Sequence, residues 1–204
     1  MKQQQKSDHT RRIIIHTAFE LFFKQGYRAT TINEIMNATS LSKGAFYHHF
    51  SNKKDLGNQV ISTILKNRIY EGLIDPLQKY KEQHTGILLS EVFINRLNSF
   101  TRRELLQGCP INNLINEIGH VELEQRLLLR ALLEDWKLQL TKVITYGQAQ
   151  GQLKKDIDPK ACATFLIAAF EGIRGIRKVY DDNDLIEHYK TALQAYVINL
   201  KHTS

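Results

Sequence analysis

A chain of 204 residues with 42% hydrophobic and 24% charged positions can bury a sizeable core and is too apolar to stay disordered. Only 11 glycines and 3 prolines punctuate it, which argues against an all-β protein with many tight turns and for long helices. The formal charge of +7 is uneven: residues 1–56 carry nine Lys/Arg against four Asp/Glu, and the other 148 residues carry 19 against 17. A basic first quarter on a near-neutral body calls for an anionic partner, with nucleic acid the first candidate and a membrane surface the second.

No stretch approaches the roughly 18 apolar residues of a membrane helix. Met1-Lys2-Gln3-Gln4-Gln5-Lys6 is not followed by an apolar segment of signal-peptide type. A cytoplasmic protein with Cys109 and Cys162 both reduced is therefore expected, with no membrane partner. No Cys/His spacing fits a zinc site, and no phosphate loop, dinucleotide fingerprint, nucleophile elbow or zinc-protease motif is present. Neither an enzyme nor a cofactor is expected.

Helical periodicity runs through the chain. Ser7 or Thr10 is placed to cap a first helix whose apolar positions are Ile14, Ile15, Ala18, Leu21 and Phe22, and Gly26 ends it. Thr31-Ile32-Asn33-Glu34 is a capping box opening a short second helix. Ser42 caps a third, Lys43 to Phe50, and Ser51-Asn52 opens a long fourth that continues to about Tyr80 and is interrupted at Pro76. A fifth covers 87–106. Pro110 starts the sixth, at the position where its missing N–H costs nothing. The seventh covers 122–147, the eighth runs from Pro159 to about Tyr180, and the ninth from Asp184 to Lys201. The expected class is all-α with about nine helices.

Two short helices joined by a tight turn in a basic region match a helix-turn-helix over about 31–50. Lys43, Gly44, Tyr47 and His48 give the third helix a small or polar outer face, and Leu41, Phe46 and Phe50 give it an inner anchor. Eight residues make roughly 12 Å of helix, close to the ~12 Å width of the major groove. A three-helix packing unit with an accidental basic face has the same pattern, and periodicity alone leaves both open.

The residues then carry a resemblance. Phe19-Glu20-Leu21-Phe22, Gly26-Tyr27-Arg28-Ala29-Thr30-Thr31-Ile32, Ile35, Leu41-Ser42-Lys43-Gly44-Ala45-Phe46-Tyr47-His48-His49-Phe50 and Asn52-Lys53-Lys54-Asp55-Leu56 resemble the DNA-binding domain of the TetR family of transcriptional regulators. Asn37-Ala38-Thr39-Ser40 stands where that family often has two alanines and a glycine. The resemblance implies a DNA-binding domain over 8–68 and an effector-binding and dimerisation domain over 69–204. It also implies a homodimer paired through the eighth and ninth helices, a palindromic double-stranded operator, and release by a small-molecule effector. Carried over by position, Thr31, Tyr47 and Lys53 resemble phosphate contacts, and Asn33, Ser42, Lys43, Gly44, Ala45 and His48 match positions that face base edges.

The effector is expected to be apolar or aromatic, held by walls drawn from Phe93, Leu97, Phe100, Asn113, Trp136, Phe165 and Phe170. Each of these is also an ordinary core candidate. Gly108-Cys109-Pro110 resembles a motif shared by several branches of the family. Cys109 precedes a helix and follows Arg102 and Arg103, which suits a reactive thiol, an alternative trigger. A small buried residue where two helix ends meet is the plainer alternative. A helical adaptor using its basic N-terminus on an anionic surface is the remaining non-enzymatic class.

Overall fold

The computed structural model describes residues 2–118, 122–180 and 184–201. In chain order its elements are α1 (Lys2–Gln25), α2 (Ile32–Thr39), α3 (Lys43–His49), α4 (Lys53–Val60), α5 (Lys66–Ile69), α6 (Asp75–Leu77), α7 (Thr85–Asn98), α8 (Arg102–Gln107), α9 (Pro110–Ile118), α10 (Leu123–Ala149), α11 (Pro159–Ile176) and α12 (Asp184–Asn199). Among the described residues the fold is all-α, and β pairing is limited to one isolated bridge between Leu153 and Lys201.

The first helix starts earlier than its capping residues suggest. Lys2 to Lys6 contains no breaker, and its lysines and glutamines are good helix formers, so Ser7 and Thr10 lie inside α1. Thr10 donates its hydroxyl back to the Lys6 carbonyl at 3.0 Å. Gly26, at φ +94°, ends the helix as expected.

From Lys53 to Leu77 the chain is one helical run in which π turns at Ile61–Leu65 and Tyr70–Ile74 separate α4, α5 and α6. The second π turn lies directly ahead of Pro76, whose ring lacks an N–H and crowds the carbonyl four residues back, so the wider turn accommodates it. The expected fifth helix is two helices. α7 stops at Asn98, and Thr101 and Glu104 form a capping box that starts α8. Gly108, at φ +77°, caps α8, and Pro110 opens α9.

The chain forms two compact units: residues up to Lys66 with Pro110–Arg130, and Asn67–Cys109 with Ala131 onward. This differs from a division at 68/69, because 110–130 packs with the N-terminal segment. The Glu117 carboxylate accepts the Arg28 amide at 2.9 Å, and Lys54 pairs with Glu122 at 3.3 Å. Gln125 is fully buried, with its amide nitrogen 3.5 Å from the Tyr27 hydroxyl and from the Lys54 carbonyl. The core of this unit is built on Ile14, Ala18, Ile35, Phe46 and Leu56, all fully buried. The second unit has an aromatic core. Phe93, Trp136 and Phe170 are fully buried, with ring centroids 5.3–6.0 Å apart.

Candidate nucleic-acid interface and receiver

Side-chain caps fix the backbone of the two short helices. Glu34 donates its amide to Thr31 Oγ1 at 3.2 Å, while its carboxylate accepts the Thr31 amide at 2.7 Å and the Thr31 hydroxyl at 2.8 Å. These bonds, the backbone one foremost, hold the Glu34 carboxyl below its ordinary range. A carboxyl lowered on folding favours the fold above its unfolded value, and that contribution fades as pH falls through the lowered value. Ser40 adopts φ +55°, the one left-handed non-glycine among the described residues, at the place where the resembling family often has glycine. Ser42 Oγ then accepts the Ala45 amide at 3.2 Å and starts α3.

The period of α3 separates its two faces. Phe46 is fully buried and packs on Phe50, centroids 5.7 Å apart. Ser42, Lys43, Gly44, Tyr47 and His48 are exposed and Ala45 is half-buried. Tyr47 is 58% exposed, its ring held edge-on by Phe46 at 5.2 Å. Thr31 and Asn33, at the start of α2, are exposed as well. His49 is half-buried, and burial, then His48 and Arg11, push its pKa down, which disfavours its charged form. Gly44 is not required by packing: a Cβ there would meet nothing closer than Ser42 Oγ at 3.7 Å.

Of the expected phosphate contacts, Thr31 has its hydroxyl in the capping box, and Lys53 has its side chain turned to backbone. Its ammonium donates to the carbonyls of Tyr27 at 3.0 Å, Arg28 at 3.3 Å and Thr30 at 2.9 Å, and lies 4.7 Å from the Tyr27 ring centroid. Burial lowers its pKa. It ties the loop between α1 and α2 to the start of α4, where Asn52 caps the helix by accepting the Asp55 amide at 2.9 Å. The exposed cation of that loop is Arg28, which sequence reasoning did not single out. We expect Lys53→Ala to destabilise the fold by about 2 kcal/mol, since hydrogen bonds from a charged group are worth roughly 1.5–3 kcal/mol. Urea unfolding checks this. Unchanged stability, with a DNA-binding salt slope reduced by about one, would mean that the ammonium reaches a phosphate instead.

The expected receiver residues do not converge on one cavity. Phe93, Leu97, Trp136 and Phe170 are packed core. Phe100 is buried against two guanidiniums, Arg96 at 4.7 Å and Arg174 at 4.4 Å. Asn113 belongs to the first unit, where it lines a pinched cavity with Phe19, Phe22 and Leu65. Phe165 is 51% exposed and stacks on Tyr196 at 4.5 Å. It sits five residues before Phe170, about 140° away around a helix of 3.6 residues per turn. Cys109 is only 2% exposed, which fits a small residue between helix ends, and Cys162 accepts a contact from the Tyr196 hydroxyl at 3.4 Å. Open grooves of this unit lie elsewhere: one of about 400 Å³ is lined by residues between Glu71 and Gln83 and by α7, and one of about 570 Å³ lies between α7 and α12.

Among the described residues no three His, Cys, Asp or Glu side chains group as a metal site, and no helix is long and apolar enough to cross a membrane.

A capped pair of short helices with an outward basic face defines the helix-turn-helix class of DNA-binding regulators. Residues 14–60 match the model for bacterial regulatory proteins of the tetR family, and residues 89–193 match the tetracyclin repressor-like C-terminal domain. The second match spans half the chain, and the protein belongs to the TetR family of ligand-responsive DNA-binding transcriptional regulators. Among its relatives, the HTH-type transcriptional repressor DhaR of Mycobacterium sp. (strain GP1) is 24% identical over 190 residues, covering 90% of this chain and 89% of that one. The transposon Tn10 TetC protein of Escherichia coli is 44% identical over 127 residues, covering 60% of each. The crystal structure of a TetR transcriptional regulator from Chloroflexus aurantiacus J-10-FL superposes with a TM-score of 0.87 at 27% identity, covering 98% of this chain and all of that one.

Proposed function

We propose that this protein is a cytoplasmic, non-enzymatic repressor that binds a palindromic operator as a twofold dimer and leaves it when a small molecule enters the second unit. The DNA-binding domain is taken as 8–68, stiffened by 110–130, and the receiver as the remainder. α3 reads the major groove through Lys43, Gly44 and His48, with Ser42, Ala45 and Asn33 at base edges and Thr31 and Tyr47 on phosphate. The observation that carries this reading is the bare Gly44. A glycine in a helix costs stability, and here no atom of the protein needs the space. Close approach by something outside the chain accounts for it.

The dimer reading rests on α11. Ala161, Phe165, Ala168, Gly172 and Ile176 are all exposed and recur at helical spacing on one stripe. A Cβ at Gly172 would meet nothing within 4 Å. Such a stripe of small and apolar residues suits close packing against a second copy.

Gly44→Ala tests the interface. It should leave the melting temperature unchanged or raise it, since Ala is the better helix former and a Cβ at this first-turn position meets no close atom. It should also weaken binding tenfold or more to operators selected by the wild-type protein from a random pool, measured by fluorescence anisotropy. Unaltered binding would remove Gly44 from the interface.

A further inference from the structure

Charge in the second unit does not balance around Phe100. Arg68 and Glu104 form an ion pair, and the same carboxylate closes the Thr101 capping box. Arg174 pairs with Glu171 at 3.4 Å and donates to the Gly108 carbonyl at 3.4 Å. Arg96 has no carboxylate partner among the described residues. Its five N–H donors make two long contacts, to Ser99 Oγ at 3.4 Å and the Arg68 carbonyl at 3.5 Å. A half-buried guanidinium is thus held beside two others without a counter-ion of its own. Burial, then Arg68 and Arg174, bring its pKa down to about 10, which still leaves it charged at neutral pH.

The backbone makes room for this arrangement. Gly72 lies against Arg96, and a Cβ there would sit 2.6 Å from Nε and 2.7 Å from Cζ. Any other residue would push the guanidinium away from the helical run. Arg96 also opens onto the 400 Å³ groove, a volume within the range of small-molecule sites. Asn95 and Ser99 stand beside it, and Pro76, Leu88 and Val92 supply apolar wall. Glu71, Glu91 and Lys79, all exposed, also line the groove, which leaves Arg96 as its half-buried charge.

We propose that the effector is an organic monocarboxylate: its carboxylate is taken by Arg96 and its apolar body lies along Pro76, Leu88 and Val92. This rests on the reading of the second unit as a receiver and names the chemistry of its ligand. A guanidinium whose terminal nitrogens make only two long contacts keeps N–H groups that can pair with a carboxylate, and neutralising it relieves the repulsion from Arg68 and Arg174.

The test uses the full chain and isothermal titration with benzoate, 2-naphthoate and decanoate, each against its own primary amide. At least one carboxylate should bind wild type about tenfold or more tighter than its amide, the share of a charge-assisted bond. That ratio should fall to about one in Arg96→Gln and return in part in Arg96→Lys. Amides that match their carboxylates in wild type would overturn the anionic assignment and leave the receiver reading intact. No carboxylate binding at millimolar concentration would overturn it as well, and neutral and cationic compounds would then test the receiver reading itself. The wild-type comparison needs no variant, so a poorly folded Arg96→Gln does not shield the proposal.

Discussion

Phe165→Glu is expected to leave each chain folded and to abolish tight operator binding. Phe165 is half exposed and its ring stacks on Tyr196, so little core is lost when it is replaced. In a twofold pair through α11, each glutamate would be trapped in an apolar contact beside its own mate. Burying a charge without a partner costs roughly 3–5 kcal/mol, enough to weaken the dimer by about two to nearly four orders of magnitude. A monomer docks on one half-site only and forfeits the second, so the loss at the operator exceeds that of any single DNA contact. Sedimentation equilibrium reads the first effect and anisotropy on a selected palindrome the second. A variant that sediments as a dimer would take α11 out of the interface.

Lys43→Ala should change which sequences are bound as well as how tightly. Lys43 opens α3 on its exposed face. A base contact is worth about 1–3 kcal/mol of discrimination, and a twofold operator counts it twice. Sequencing of selected operators should show relaxed preference at one position in each half-site. A uniform loss on all sequences, with the salt slope lower by about one, would reassign Lys43 to phosphate.

The parts of the fold written in local chemistry were the parts legible in the sequence. Thr31 with Glu34, Ser42, Asn52, Gly26 and Pro110 mark helix ends through bonds to backbone only a few residues away. The break between α7 and α8 was legible too, since Thr101 and Glu104 repeat the box seen at Thr31, but the apolar run through Leu97 and Phe100 masks it. The start of α1 was hidden because Ser7 and Thr10 are cap formers in a stretch where nothing stops the helix. Long-range placement was not legible. Phe165 and Phe170 read alike as aromatic wall, yet opposite sides of one helix send one outward and the other into the core. The ammonium of Lys53 finds three carbonyls more than twenty residues upstream, and Arg96 and Arg174 meet over Phe100 from two helices. No spacing announces either.

The packing of 110–130 with the N-terminal segment bears on how such regulators can be recombined. A gene fusion joined near residue 68 would bring a foreign counterpart of 110–130 beneath the reading head. Arg28 would then lose the carboxylate of Glu117, Lys54 that of Glu122, and the space beside Gly57, which Gln125 fills to within 2.3 Å of where a Cβ would stand, would be filled by another chain's side chain. A productive graft must therefore transplant two separate stretches together. Inheritance of a new ligand response by shuffling needs three compatible joints, at 66/67, 109/110 and 130/131, whereas gradual substitution along the groove of the second unit needs none.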